Sequence, residues 1–134
     1  MAAMIVGATG CKSTPDENII ERPEFKSTDG VFSIEALEAL GRVSDPQVSP
    51  DGSKVLFGIS YESVEQNKGN NELYVIDIKG GEPKRLTNTA GSESSAVWID
   101  NGNKIAYLAS DGEAVQLYVM NADGGITPEE VVPF

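Results

Sequence analysis

The chain has 134 residues with 21 acidic and 10 basic side chains, a formal net charge of −11, no histidine and one cysteine. That length suffices for one domain with a real core, and the acidic balance argues against charge-driven binding to nucleic acid or to an anionic membrane face. The missing histidine excludes Ser-His-Asp and Cys-His nucleophile systems and His-based metal sites within this chain, and the single cysteine excludes an internal disulfide or a Cys cluster. No catalytic, cofactor-binding or metal-binding residue is therefore assigned, and no cofactor is expected.

Residues 1–10 are apolar and small, Cys11 follows, and a polar run begins at Lys12. An apolar stretch ending in small residues marks the h-region and cleavage site of a secretory signal, and ten residues are too few to span a bilayer. Ala8-Thr9-Gly10-Cys11 resembles the lipobox of bacterial lipoproteins, which implies lipidation at Cys11 and a location in the periplasm or outer membrane of a Gram-negative bacterium, held to the membrane only through that anchor. No Lys or Arg precedes the apolar run, which would place the n-region upstream of Met1 and make residues 1–11 a signal remnant. Residues 12–30 carry Pro15, Pro23 and Gly30 among many Ser, Thr, Asp, Glu and Lys, and read as a flexible tether with only Ile19, Ile20 and Phe25 to bury.

A short helix is expected within residues 31–42. Ser33 is a suitable N-cap, Ile34, Leu37 and Leu40 fall on one face, Gly41 stands where a C-terminal cap would, and Phe32 with Leu37 has the spacing of a hydrophobic staple. So short a helix needs a surface to pack on, either the strands that follow or a domain absent from this chain.

Strands take over from Val43. A short strand around Val48 leads into the turn Pro50-Asp51-Gly52, where proline fixes φ, aspartate can bond its own backbone and glycine accepts positive φ. Further strands are expected over 54–60, 72–78 and 83–87, with a long polar loop over 61–70. The series then repeats over 95–99, 104–109 and 116–121, joined by turns at 100–103 and 110–113. Runs such as Val55-Leu56-Phe57 and Leu73-Tyr74-Val75-Ile76 are nearly continuously apolar, as expected of strands covered on both faces.

The repeat has a definite arithmetic. Lys54 matches Lys104 at a spacing of 50, while Leu73 matches Leu117 and Gly80 matches Gly124 at 44, so the difference falls in the loop between the second and third strands. Length variation confined to a loop, with strand pairs returning every 40 to 50 residues, is the signature of β-propeller blades. The fold class is all-β, a partial β-propeller of about two four-stranded blades with a short N-terminal helix. Blade 1 is expected over 43–88, and blade 2, incomplete, over 89–134.

The run from Ser33 to Gly52, ending in Val48-Ser49-Pro50-Asp51-Gly52, resembles the start of the N-terminal propeller in prolyl oligopeptidase family serine peptidases. The dipeptidyl-peptidase and acylaminoacyl-peptidase-like branch of Bacteroides-type bacteria is the nearest in pattern, and the blade motif is also similar to that of TolB-type propellers. The resemblance covers about residues 33–124. It implies partners that this chain does not contain, namely further blades and a C-terminal α/β-hydrolase domain, with short peptides as substrates. No Gly-x-Ser-x-Gly elbow is present, so no catalytic residue carries over. Two functions follow: a propeller piece of an exported serine peptidase that gates and scaffolds access of short peptides, or a non-enzymatic TolB-like binding module of the cell envelope.

The remaining candidates are weaker. Asp45, Asp51, Asp77, Asp100, Asp111 and Asp123 lack the spacing of a calcium loop and read as turn residues. Trp98 reads as core packing, and Tyr61 and Glu62 as residues that would face the cavity of a complete peptidase.

Overall fold

A computed structural model describes residues 19–25, 29–110, 112–124 and 129–132. Cys11 and Asp111 lie outside the described residues. The short helix is α1 (Ile34–Glu38), and the strands of the first sheet are β1 (Arg42–Val48), β2 (Lys54–Ser63), β3 (Lys68–Asp77) and β4 (Lys84–Arg85). The second sheet holds β5 (Ser92–Ile99), β6 (Lys104–Ser110), β7 (Val115–Asn121) and β8 (Glu129–Val132). Each sheet is antiparallel with its strands in chain order, which is the up-and-down meander of a propeller blade.

The first turn forms as its residues dictate. Asp51 Oδ1 accepts from the Ser53 amide at 2.9 Å, the Ser53 hydroxyl at 2.8 Å and the Ser49 hydroxyl at 2.6 Å, while Ser49 Oγ accepts from the Lys54 amide at 3.0 Å. Three donors on one oxygen favour the ionised form and hold Asp51 down at about 2. In the second sheet the matching turn is a 3-10 segment, Asp100–Gly102, in which Asp100, Asn101 and Gly102 all have positive φ. Gly102 abuts the first turn: a Cβ there would stand 3.1 Å from Pro50 Cδ.

The innermost strands share a feature that no local sequence pattern announces. Pairing of β1 with β2 slips between Ser44 and Gln47, and pairing of β5 with β6 slips between Ser94 and Val97. Each slip holds one left-handed residue, Asp45 at φ 46° and Ser95 at φ 53°. These β-bulges lie one repeat apart, and the first lets Pro46 sit in an edge strand without removing a needed ladder bond.

The expected loop over 61–70 is instead a strand hairpin. Strands β2 and β3 stay in register from Lys54 opposite Asp77 to Ser63 opposite Lys68, leaving Val64 to Asn67 as the turn, with Asn67 at φ 48°. Polar residues pair well in a hairpin, because the ladder needs only their backbone; polarity alone is a poor guide here.

The helix is also shorter than expected, and its buried face differs. Ser33 does cap it, its hydroxyl accepting from the Ala36 amide at 3.3 Å. The buried residues, however, are Ala36 and Ala39, whereas Phe32, Ile34, Leu37 and Leu40 are all more than half exposed. Gly41 has no positive φ; its role is close approach, since a Cβ there would lie 2.6 Å from Ile59 Cγ2. Upstream, Ile20 is buried and Glu21 pairs with Arg85 at 3.1 Å, so this part of the tether lies against the first sheet.

The core fills the space between the sheets. Leu56 and Leu73 from the first meet Ala96, Ile105, Tyr107, Met120 and Ala122 from the second. Leu56 and Ile105 are fully buried, and each such side chain contributes about 1.5–3 kcal/mol relative to exposure. Phe57 and Tyr74, on the opposite face of the first sheet, stack at 6.0 Å, and their counterparts one repeat later, Tyr107 and Tyr118, stack at 5.8 Å. The face that buries an aromatic pair in the second blade is thus the same face that carries one in the first, the geometry of like units stacked in one direction.

Candidate functional site

The seam between the sheets gathers polar groups that the apolar pattern does not disclose. Strand β3 contributes Asn70 and Glu72, the connection after β4 contributes Thr87 and Thr89, and β5 contributes Glu93; Asn70, Glu72, Thr87 and Glu93 are all buried. Glu72 is fully supplied with donors. Its Oε1 accepts from Asn70 Nδ2 at 3.0 Å, the Thr89 amide at 3.0 Å and Arg85 Nη2 at 3.1 Å, and its Oε2 from the Thr87 hydroxyl at 2.5 Å.

Glu93 is supplied differently. The residue is 1% exposed, its Oε1 accepts from the Thr89 hydroxyl at 2.7 Å, and its Oε2 is buried without a hydrogen-bond partner. Burial, opposed by the Thr89 hydroxyl and reinforced by the charge of Glu72, pushes the Glu93 carboxyl up to about 7. Asn71 holds the two sheets together alongside: its Nδ2 donates to the Glu93 carbonyl, and its amide donates to Ser92 Oγ at 3.1 Å.

Next to this cluster lies an open cavity of about 430 Å³ lined by Thr89, Gly91, Glu93, Tyr107, Gln116 and Tyr118. Burial raises the Tyr107 hydroxyl well above its ordinary value, and Tyr118 donates to Gln116 Oε1 at 2.9 Å. The cavity offers hydrogen-bonding and aromatic surface, with no paired nucleophile and base.

The residues named from sequence are placed as structural elements. Trp98 packs against the core and donates through Nε1 to the Gln47 carbonyl at 3.2 Å. Glu62 pairs with Arg42 at 3.1 Å across β2 and the start of β1, and Tyr61 flanks Gly41 beyond the helix end. Asp77 Oδ1 accepts from the Lys79 amide at 2.8 Å, a turn role like that of Asp51. Among the described residues, no three His, Cys, Asp or Glu side chains group as a metal site would require. Glu72 and Glu93 escape a reading of the sequence because each lies amid residues that resemble solvated surface; the one available signal is Thr87 and Thr89 beside Glu93, hydroxyls able to satisfy a buried carboxyl.

Comparison with known proteins agrees with this architecture. The chain is 32% identical over 117 residues, 87% of its length, to dipeptidyl-peptidase 5 of Porphyromonas gingivalis, and spans 16% of that protein. Among solved structures, Pyrococcus horikoshii acylaminoacyl peptidase superposes with a TM-score of 0.60 at 18% identity, over 73% of this chain and 15% of the other. The β-propeller domain of the trilobed protease from Pyrococcus furiosus does so at 0.55 and 16% identity, over 69% of this chain and 27% of that one. A family model described as the TolB beta propeller domain matches residues 33–131, most of the chain, and the protein belongs to that β-propeller family.

Proposed function

We propose that this chain supplies two adjacent blades to the propeller of an exported serine peptidase, where they scaffold and gate the passage of short peptides to a hydrolase domain outside these residues. The observation that carries this reading is the 32% identity to dipeptidyl-peptidase 5 across 87% of the chain. In this reading the blades contribute by position, limiting which substrates reach the nucleophile rather than reacting with them.

Reading the genomic DNA beyond codon 134 in all frames tests this. Further blades followed by a Gly-x-Ser-x-Gly segment and a later His are expected; blades with no hydrolase would replace the peptidase reading with that of a TolB-like binding module. Export through a lipid anchor at Cys11 is part of the proposal and is supported by the small-residue run before that cysteine. Changing Cys11 to Ser should abolish labelling by a fatty-acid probe and partitioning into detergent, and unchanged partitioning would discard the anchor.

A further inference from the structure

The donor supply at the seam is unequal. Four donors converge on Glu72, while Glu93 receives one and keeps a buried oxygen with none. An ionised, half-satisfied carboxylate in this setting would carry the full cost of desolvation next to a second negative charge. A neutral acid removes both problems: Oε2 becomes a donor, and the crowded oxygens of Glu72 beside it are acceptors.

We propose that Glu93 is a carboxylic acid whose Oε2–H is donated to Glu72, that this acid–carboxylate pair fastens the seam between the two blades, and that release of the proton to solvent loosens it. The charged and titratable groups around Glu93 are Glu72 from β3, Tyr107 from β6, Tyr118 from β7 across the shared cavity and, through its ion pair with Glu72, Arg85 from β4. Arg85 already serves Glu72, and Tyr107, a neutral phenol held from ionising by burial, has no positive form, so neither compensates a second negative charge. The shift of Glu93 to about 7, driven first by burial, agrees with this assignment.

Because the folded-state value exceeds the ordinary 4.5, the folded chain holds more protons than the unfolded one between about 4.5 and 7. The contribution of this pair is fully present below that window and is lost as pH rises through about 7, opposite to the usual behaviour of a paired carboxylate.

The test is carbon-13 NMR of the full chain labelled at the glutamate carboxyls, together with amide hydrogen exchange across Thr87 to Ser95. One carboxyl resonance should titrate near neutrality and vanish in Glu93→Gln, an isostere of the neutral acid. Exchange across the seam, corrected for its intrinsic pH dependence, should rise several-fold through the same midpoint in the native chain and stay flat in the variant. Glu72→Gln should lower the Glu93 midpoint by removing the adjacent charge. Titration of every glutamate below about pH 5, assignment of the neutral titration to another residue, or equal exchange profiles in native and Glu93→Gln chains would overturn the proposal. If a variant fails to fold, sequential assignment of the native carboxyls still identifies which glutamate titrates near neutrality, and any residue other than Glu93 overturns the proposal.

Discussion

Trp98 of the second blade donates its indole N–H to the carbonyl oxygen of Gln47 in the first, 3.2 Å away, tying together the innermost strands of the two sheets. The two residues belong to neighbouring repeats, and Trp98 also packs on the shared core, so one side chain couples hydrogen bonding to burial at the junction. Trp98→Phe keeps most of the apolar area and removes the donor, leaving the Gln47 carbonyl without this partner. Stability should fall by about 1 kcal/mol, measured by urea unfolding followed by circular dichroism. An unchanged midpoint would mean that water replaces the indole without cost.

The core bridging the sheets should act as one cooperative unit. Leu56 and Ile105 are each fully buried but come from different blades. Either one changed to Ala should cost about 2–5 kcal/mol, the loss depending on how far the cavity can collapse. If the blades share this core, the double variant should depart from additivity by about 0.5 kcal/mol or more in a double-mutant cycle. Strict additivity would show two cores that merely adjoin.

What the sequence discloses and what it conceals divide along physical lines. The Pro50-Asp51-Gly52 turn, the Ser33 cap and the alternation of strands in both blades are set by near neighbours, and each appears where local chemistry puts it. The helix face is misleading because Ile34, Leu37 and Leu40 fit an amphipathic pattern, yet close approach to the sheet favours the small Ala36 and Ala39. The hairpin over 61–70 reads as a loop because its side chains are polar, although backbone pairing decides the matter. Glu72 and Glu93 lie 21 residues apart, and only the stacking of one blade on the next unites them.

Glycine tolerance should separate close approach from turn geometry. A Cβ on Gly91 would run into the backbone carbonyl oxygen of Ser110, which cannot rotate aside, whereas a Cβ on Gly80 would meet open space. Gly91→Ala should therefore destabilise by about 1–3 kcal/mol through displacement of the strand start. Gly80→Ala should show only the milder strain of its positive φ, near +96°. The thermal midpoints of the two variants check this, and an equal or smaller loss in Gly91→Ala would show that the β5–β6 edge moves freely.

Acid should weaken the first blade at its turn. Asp51 is held at about 2, against an ordinary 3.8, first by the Ser49 hydroxyl and then by the amide and hydroxyl of Ser53. A depressed folded-state value means that the unfolded chain binds the proton more readily, so the contribution of Asp51 is present above about 3.8 and is lost as pH falls toward 2. The group is exposed, which makes the effect small and sensitive to salt. Asp51→Asn should therefore flatten the native chain's loss of thermal stability between about pH 4 and pH 2, with exchange of the Ser53 amide rising in native protein over the same interval. A variant that retains the full native slope would place the acid sensitivity in other carboxyls and reduce the Asp51 bonds to turn geometry alone.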